Sequence, residues 1–278
     1  MTDEDPSGRA EDQPARIPSH LQVGGDTCGL VTGAGGGIGR AICLELAAQG
    51  WRVAACDLGA GALETAELVR EGGGEAIGLT WDVRDGAAAK QAHAEAEKEL
   101  GPVEAVVANA AIVDRVAPAE KMSEEGWRNE IDVNLTGAFL SLQPALESMR
   151  ERGRGRIVAI SSIAATDGLA GQAAYAASKA GILGLVRTLA LEMAPAGVTV
   201  NAVVPGMVAT EKVEAMPGAV RERATGRIPL GRFATPAEVA ATVAFLCSAA
   251  AAYITGAWLP VDGGMSLSNL TLGSERSV

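Results

Sequence analysis

The chain has 278 residues, 48% of them hydrophobic and only 3% aromatic, so a substantial core has to be built from Ala, Val, Leu and Ile. Its 34 acidic residues outnumber its 23 basic ones, and the formal charge of -11 opposes binding to nucleic acid or to anionic membranes. The two histidines, His20 and His93, lie far apart in polar surroundings, which makes a zinc alcohol dehydrogenase or a histidine-dependent hydrolase difficult to build.

The ends of the chain differ in composition from its middle. Residues 1–25 are rich in Asp, Glu, Pro, Ser and Gly and lack the apolar core of a signal peptide, which predicts a disordered acidic arm. One α/β domain is predicted over residues 26–266, followed by a tail at 267–278. Four scattered cysteines without C-x-x-C spacing indicate buried free thiols in a reducing compartment, which we expect to be the cytoplasm.

From Cys28 onwards, short apolar runs alternate with helical segments, a pattern that predicts an α/β fold with a seven-stranded parallel sheet and helices on both faces. Pro144 is expected to kink or end the helix that contains it. The predicted strands are Cys28–Thr32, Arg52–Asp57, Ala76–Asp82, Ala105–Asn109, Arg156–Ile160, Val198–Val204 and Ala257–Val261. The predicted helices are Ile38–Gln49, Gly61–Glu71, Gly86–Leu100, Ser123–Arg150, Gln172–Met193 and Pro236–Ser248.

The segment Val239–Val261 carries no charge over 23 residues, which is long enough to span a bilayer. It is preceded by Thr235-Pro236-Ala237-Glu238, which is typical of a capping box with proline at the first helical position. This start and the polar residues within the segment favour a buried helix followed by a buried strand. No membrane span is expected.

The first predicted strand leads directly into a glycine-rich turn, Thr32 to Gly39, that opens a helix. Glycines in such a turn let the backbone approach a pyrophosphate, and the helix N-terminus offers free N–H groups. Asp57 ends the next strand, where its carboxylate can accept hydrogen bonds from the adenosine ribose. A 2'-phosphate there would be repelled by about 1 to 4 kcal/mol, and neither Gly36 nor Leu58 supplies a compensating cation. The turn therefore predicts a dinucleotide site that prefers NAD over NADP.

A second group of candidate residues follows the fifth predicted strand. Tyr175 and Lys179 are four residues apart in an Ala-rich segment, so a helix places them on one face. A nearby ammonium favours the phenolate, which predicts a lowered pKa for Tyr175 and a role in proton transfer. Ser162 lies at the carboxyl end of the strand, where a hydroxyl can hold the oxygen whose proton Tyr175 handles.

Several spaced motifs together give the chain a resemblance to the short-chain dehydrogenase/reductase family over about residues 28–265. The motifs are Thr-Gly-x-x-x-Gly-Ile-Gly at Thr32 to Gly39, Asp82-Val83, Asn109-Ala110-Ala111, Asn134, Ser162, Tyr175-x-x-x-Lys179, Pro205-Gly206 and Thr210. The resemblance implies a single Rossmann-type domain and a reaction that interconverts a secondary alcohol and a ketone. It also implies a homotetramer or homodimer.

The resemblance assigns a role to each matching position. It implies that Tyr175 is the general acid/base, that Ser162 orients the substrate oxygen, and that Lys179 lowers the pKa of Tyr175 and binds the nicotinamide ribose. Asn134 is expected to hold a water in the proton relay, and Asp82 and Val83 to contact adenine. The predicted cofactor-binding residues are Gly33, Gly35, Gly37, Ile38, Gly39, Asp57, Asp82, Val83, Asn109, Ala110, Tyr175, Lys179, Pro205, Gly206, Val208 and Thr210.

The segment after Gly206 is where this family places its variable substrate-binding stretch. Here it carries Met207, Val208, Val213, Met216 and Pro217, which favours an apolar small-molecule substrate. Two alternatives remain open. One is an NADPH-dependent 3-oxoacyl thioester reductase, because the segment from Pro229 to Gly264 resembles the acyl-carrier-protein reductases, although Asp57 opposes it. The other is a dinucleotide-sensing module without catalysis, which the presence of Ser162, Tyr175 and Lys179 disfavours.

Overall fold

The structure is a computed structural model that describes residues 26–113 and 116–267. The predicted acidic arm (1–25) lies outside the described residues, and so does the predicted tail apart from Leu267. The order of elements in the described part alternates strands with helices, as the sequence predicts.

Seven strands form one parallel sheet in the order β3-β2-β1-β4-β5-β6-β7, which confirms the predicted fold class. The strands are β1 (Cys28–Thr32), β2 (Arg52–Asp57), β3 (Ala76–Thr80), β4 (Val103–Ala108), β5 (Gly155–Ile160), β6 (Val198–Pro205) and β7 (Trp258–Val261). The direction of winding reverses between β1 and β4. In open sheets of this kind, ligands bind beyond the carboxyl ends of the strands at the point of reversal.

The helices cover both faces of the sheet. They are α1 (Gly37–Ala48), α2 (Gly61–Glu71), α3 (Gly86–Leu100), α4 (Glu124–Ile131), α5 (Gly137–Arg152), α6 (Ala164–Asp167), α7 (Ala173–Met193), α8 (Glu211–Glu214), α9 (Gly218–Thr225) and α10 (Pro236–Cys247). The three short helices α6, α8 and α9 were not predicted, because none is long enough to show an amphipathic period.

Two apolar cores lie on opposite faces of the sheet. One packs α3, α5 and α7 against the strands and includes Leu142 and Met193. The other packs α1, α2 and α10 and includes Ile42 and Val243. Strands buried from both sides are mainly apolar, which explains why they appear as short hydrophobic runs in the sequence. Buried polar residues interrupt these runs at Glu104 in β4 and Arg156 in β5.

The helix predicted as Ser123–Arg150 differs from the prediction in two ways. It is divided into α4 and α5 by a π-helical turn at Asp132–Thr136, and α5 continues through Pro144 to Arg152. Pro144 was expected to kink or end the helix, and the structure excludes an end there. Proline removes one backbone hydrogen bond, but the buried face of α5, formed by residues such as Leu142 and Met149, holds the helix against the sheet.

The uncharged segment Val239–Val261 forms the remainder of α10, a short 3-10 turn and β7. The helix is buried as predicted, but the expectation of a buried strand was wrong, because β7 lies at the edge of the sheet and is partly exposed. The Thr235 hydroxyl accepts a hydrogen bond from the Glu238 N–H at 3.3 Å, and the Glu238 carboxylate accepts one from the Thr235 N–H at 2.8 Å. The predicted capping box is therefore confirmed. Within the described part of the chain, every helix is too short or too polar to cross a bilayer.

The four cysteines are buried free thiols, as the sequence predicts. Burial raises the pKa of Cys28, Cys56 and Cys247 to about 12, so these thiols stay protonated and unreactive near neutral pH.

Candidate active site

A cavity of about 760 Å³ opens at the carboxyl end of the sheet. Residues that follow β1, β4, β5 and β6 contribute to its lining, together with residues from the segment between β6 and α10. Among the predicted site residues, those that line it are Gly33, Ile38, Gly39, Asp57, Asn109, Ala110, Ser162, Tyr175, Lys179, Pro205, Gly206, Val208 and Thr210. The cavity therefore brings together most of the residues that the sequence singled out.

The glycine-rich turn has no room for side chains at two positions. Gly33 has φ +65°, and a Cβ there would lie 2.7 Å from the Ala110 Cα. A Cβ on Gly39 would lie 2.0 Å from the Gly33 carbonyl oxygen. The turn thus packs directly against the end of β4 and against itself, which leaves its outer surface open to a pyrophosphate.

Substituting Gly39→Ala is expected to lower the free energy of unfolding by about 1 to 3 kcal/mol, because the methyl group overlaps a backbone atom that cannot move freely. Gly36→Ala is the matched control in the same turn, since a Cβ there meets nothing within 4 Å. Thermal and urea unfolding of the two variants would check this. Equal stability of Gly39→Ala and wild type would contradict the described geometry of the turn.

Thr32 and Asn109 hold this turn against β4. The Thr32 hydroxyl accepts hydrogen bonds from the N–H groups of Asn109 and Ala110 at 3.1 and 3.2 Å. The Asn109 amide donates to the carbonyl oxygens of Thr32 and Gly33, each at 3.0 Å. The Asn109 amide is therefore engaged in holding the turn in place.

Asp57 lies at the end of β2 beside the turn. Its carboxylate accepts hydrogen bonds from the Gly35 N–H at 2.8 Å and from the Gly59 N–H at 3.3 Å. The neighbouring Arg40 is already engaged, because its guanidinium donates to the Gly35 carbonyl oxygen and pairs with Glu64 at 3.1 Å. The carboxylate is therefore fixed at the cavity wall, and the Arg40 guanidinium is already occupied by Gly35 and Glu64.

Tyr175 and Lys179 lie one turn apart on α7, with the Lys179 Nζ 5.7 Å from the centre of the Tyr175 ring. The Lys179 ammonium is buried and donates to the Ile160 carbonyl oxygen at 2.8 Å. Tyr175 shares a hydrogen bond with Ser162, and the Ser162 hydroxyl also accepts from the Ala164 N–H at 3.2 Å. Serine, tyrosine and lysine thus converge at the deep end of the cavity.

The electrostatics of this group differ from the sequence-based expectation. Burial raises the pKa of Tyr175, and the hydrogen bond with Ser162 offsets only part of that shift. Burial also lowers the pKa of Lys179 to about 8. The predicted lowering of the Tyr175 pKa was therefore wrong for the protein without ligands, because desolvation of the phenolate outweighs the effects that favour it.

Asn134 lies in the π-helical turn and is completely buried. Its side-chain oxygen accepts from the Ile112 N–H at 2.7 Å, and its nitrogen donates to the Ile112 carbonyl oxygen at 2.9 Å and to the Ser178 hydroxyl at 3.3 Å. The side chain does not line the cavity. It joins the segment after β4 to α7, which carries Tyr175.

Four of the predicted cofactor residues do not line the cavity either. Asp82 pairs with Arg84, and this interaction lowers the pKa of the Asp82 carboxyl. Val83 packs against Gly137. Gly35 holds Asp57, and Gly37 begins α1 with φ +49° close to the Thr210 methyl group.

Comparison with known proteins connects this geometry to a family. Residues 33–266 match a family model described as enoyl-(acyl carrier protein) reductase, which is most of the chain. The chain belongs to the short-chain dehydrogenase/reductase family. The match spans both the glycine-rich turn and the tyrosine and lysine of α7.

The curated relatives of this short-chain dehydrogenase/reductase include several enzymes of acyl thioester metabolism. A (3R)-3-hydroxyacyl-CoA dehydrogenase from Rattus norvegicus is 44% identical over 85% of this chain and 95% of its own. An acetoacetyl-CoA reductase from Rhizobium meliloti is 46% identical over 84% and 96%. A cis-4-hydroxycyclohexanecarboxylate dehydrogenase from Sinomonas cyclohexanicum is 40% identical over 84% and 94%.

Among solved structures, a putative NAD(P)-dependent gluconate 5-dehydrogenase from Beutenbergia cavernae with bound NADP superposes with a TM-score of 0.83 at 40% identity, covering 89% of this chain and 99% of its own. The short-chain dehydrogenase/reductase described here is therefore an oxidoreductase that acts on CH–OH groups. Because these relatives are enzymes, the hypothesis of a dinucleotide-sensing module without catalysis is disfavoured.

The outer part of the cavity is formed by a stretch that we call the lid, residues 207–228, together with the segment around α6. Met207, Val213 and Met216 of the lid and Leu169 after α6 give it apolar walls. The lid is tied across the cavity by the Lys212 ammonium, which donates to the Val113 carbonyl oxygen at 3.3 Å. The apolar character suggested by the sequence is present at this end.

Sequence reasoning missed several lining residues, among them Ile163, Asp167, Leu169, Arg227 and Met265. They lie in short helices and irregular segments, where no periodic pattern indicates which side chains point inward. Among the described residues, no group of His, Cys, Asp or Glu could hold a metal ion.

Proposed function

We propose that this short-chain dehydrogenase/reductase interconverts 3-hydroxyacyl and 3-oxoacyl thioesters with NAD(H). The observation that carries the proposal is the convergence of Ser162, Tyr175 and Lys179 at the deep end of a cavity whose outer walls are apolar. A polar group at the reacting oxygen and an apolar channel for the rest of the substrate suit a hydroxyacyl chain. The relatives that act on 3-hydroxyacyl-CoA and acetoacetyl-CoA support this substrate class.

Ser162, Tyr175 and Lys179 have different roles in proton transfer. The Tyr175 hydroxyl gives its proton to the ketone oxygen in reduction and takes it back in oxidation, and the Ser162 hydroxyl orients the same oxygen. The Lys179 ammonium stabilises the phenolate that forms. Bound NAD(H) supplies the hydride chemistry, and Gly33 and Gly39 leave space for its pyrophosphate beside the N-terminus of α1.

The preference for NAD is argued from Asp57. The carboxylate is held at the cavity wall by the N–H groups of Gly35 and Gly59, and the neighbouring Arg40 is engaged with Glu64. A 2'-phosphate would face a fixed negative charge, at a cost on the order of 1 to 4 kcal/mol. We therefore infer that NADH binds in preference to NADPH, which opposes the NADPH-dependent alternative.

In wild type, NADH is expected to bind at least about tenfold more tightly than NADPH, a difference of about 1.4 kcal/mol. Asp57→Asn removes the charge and keeps an oxygen for the Gly35 N–H, so the ratio of the two dissociation constants should fall below about threefold. Titration of NADH and NADPH in one buffer would measure both ratios. Tighter NADPH binding by wild type would contradict the Asp57 argument and favour the NADPH-dependent reductase.

The substrate class is tested with purified protein, acetoacetyl-CoA and NADH, by following the loss of NADH absorbance. Steady turnover is the expected result. If the enzyme instead reduces simple apolar ketones faster than the thioester, the assignment as a secondary-alcohol dehydrogenase stands. The proposal of a thioester substrate is then rejected.

We also propose that the enzyme is a cytoplasmic homo-oligomer. The buried free thiols suit a reducing compartment. Small exposed residues on α7, Ala177 and Ala180, allow close packing of a second copy against this helix, and Phe139 of α5 is also exposed.

A further inference from the structure

Four charged residues line the cavity, and three of them have hydrogen-bond partners within the chain. Asp57 holds the glycine-rich turn, Lys179 donates to the Ile160 carbonyl oxygen, and Asp167 accepts a hydrogen bond from the Thr166 hydroxyl at 2.8 Å. The fourth is Arg227, at the end of the lid. It is the one cation that faces the cavity and is accessible from solvent, among the residues that the structure describes.

The Arg227 guanidinium makes no hydrogen bond or ion pair with any part of the chain in residues 26–113 and 116–267. Asp167 lies in the same cavity but does not pair with it. Lys212, the other lid cation near the cavity, is held by the Val113 carbonyl oxygen. Arg227 therefore keeps its five donors for a ligand.

The position of Arg227 is fixed by its neighbours. The Arg227 N–H donates to the Ala224 carbonyl oxygen at 3.1 Å, which continues the end of α9. The next residue, Ile228, is buried and packs next to Gly263. The backbone at Arg227 is thus anchored on both sides, while its side chain lies at the rim of the cavity.

Arg227 is a cation at the cavity of a protein with a net negative charge. The chain as a whole carries -11, which repels anions from its surface, and the adjoining walls of the cavity are apolar. A guanidinium without a partner in the described chain attracts a negatively charged group to this rim. Guanidinium binds phosphate and carboxylate oxygens with two parallel hydrogen bonds.

We propose that Arg227 is a specificity-determining residue that binds an anionic group, phosphate or carboxylate, on the part of the substrate remote from the reacting carbon. This inference rests on the proposed function, and it adds that the enzyme selects substrates carrying such an anion. Phosphates of a coenzyme A thioester and the carboxylate of a cyclic oxo acid both have this chemistry.

The test compares two pairs of ketones in which one member carries the anion and the other does not. Acetoacetyl-CoA is paired with S-acetoacetyl-N-acetylcysteamine, which lacks the phosphates, and 4-oxocyclohexanecarboxylate is paired with its methyl ester. Arg227→Gln is expected to raise KM for the anionic member of one pair by about tenfold or more. A change of this size corresponds to the loss of one hydrogen bond to a charged group. The neutral member should change less than twofold, and kcat should stay within twofold for both.

Two further variants separate recognition from structure. Arg227→Lys keeps the charge and should recover most of the affinity. Arg223→Gln makes the same charge change on exposed α9 outside the cavity, and should leave both members of each pair unaffected. Raising the salt concentration should weaken binding of the anionic member in wild type and much less in Arg227→Gln.

The same ligands titrated into NAD-loaded protein in a calorimeter give an answer that does not depend on turnover. A wild-type preference for the anionic member that Arg227→Gln abolishes supports the proposal even if no ketone is reduced, an outcome that rejects only the proposed function. Equal effects on both members of a pair, no effect on either, or no binding of any of the four compounds would overturn it.

Discussion

Replacing Tyr175 with phenylalanine is expected to lower turnover by about a hundredfold to ten-thousandfold, while the dissociation constant for NADH stays near that of wild type. Phenylalanine keeps the ring that packs at the deep end of the cavity and removes only the hydroxyl that bonds with Ser162. Without that hydroxyl, the reacting oxygen has no proton donor of suitable strength. Steady-state kinetics with acetoacetyl-CoA, together with NADH titration, would measure both quantities.

The chain contains only one other tyrosine, Tyr253, which is fully exposed. Tyr253→Phe makes the identical chemical change away from the cavity and should leave turnover unaltered. Near-normal turnover of Tyr175→Phe would reject Tyr175 as the general acid/base, whatever the cofactor titration shows.

Replacing Lys179 with methionine is expected to lower turnover by about a hundredfold. The charge lies 5.7 Å from the Tyr175 ring centre, where a unit charge stabilises a phenolate by about 3 kcal/mol at an effective dielectric constant near 20. Methionine has a similar length and an apolar character that suits the buried position. The pH dependence of the remaining activity should shift to higher pH, because the phenolate loses its stabilising cation.

The same substitution has a separate effect on stability that depends on pH. Burial lowers the pKa of Lys179 to about 8, below its ordinary value of 10.5, so the buried ammonium destabilises the folded state by about 3 kcal/mol below pH 8. Between pH 8 and 10.5 the folded protein loses this proton while the unfolded chain keeps it, and the penalty disappears. The stability of wild type relative to Lys179→Met should therefore rise by about 3 kcal/mol across this range.

Urea unfolding of both proteins at pH 7.5 and at pH 10 would measure this difference. Lys90→Met, at an exposed position on α3, is the matched control and should show no such change. A constant stability difference between wild type and Lys179→Met over the whole range would mean that the ammonium is not desolvated as described.

The parts of the fold that the sequence predicted well are those governed by a repeating pattern. The central strands β1, β4, β5 and β6 are buried from both sides and appear as short, mainly apolar runs. The alternation of strands and helices along the chain implied a parallel sheet. The clustering of Ser162, Tyr175 and Lys179 in one cavity was also predictable, because Tyr175 and Lys179 share one helical turn and Ser162 follows a strand. The same reasoning placed the capping box at Thr235.

Features that depend on tertiary contacts were missed or misjudged. Nothing local shows that α5 tolerates Pro144, because the packing that holds the helix comes from distant strands. The raised pKa of Tyr175 depends on how deeply the ring is buried, which spacing alone does not reveal. Arg227 lies in an irregular stretch, so its approach to the cavity depends on how the lid folds back over the sheet.

The separation between the sheet and the lid has a consequence for how such an enzyme diversifies. Ser162 follows β5, and Tyr175 and Lys179 lie on α7, which packs in the core. In contrast, residues 211–226 of the lid include no buried side chain, and the Lys212 hydrogen bond ties them across the cavity. Residues 211–226, which contain neither a buried side chain nor a predicted cofactor-binding residue, can therefore mutate extensively without disturbing the chemistry. A library randomised in this stretch alone should yield folded enzymes with new substrate ranges, an evolutionary freedom that the strand ends do not have.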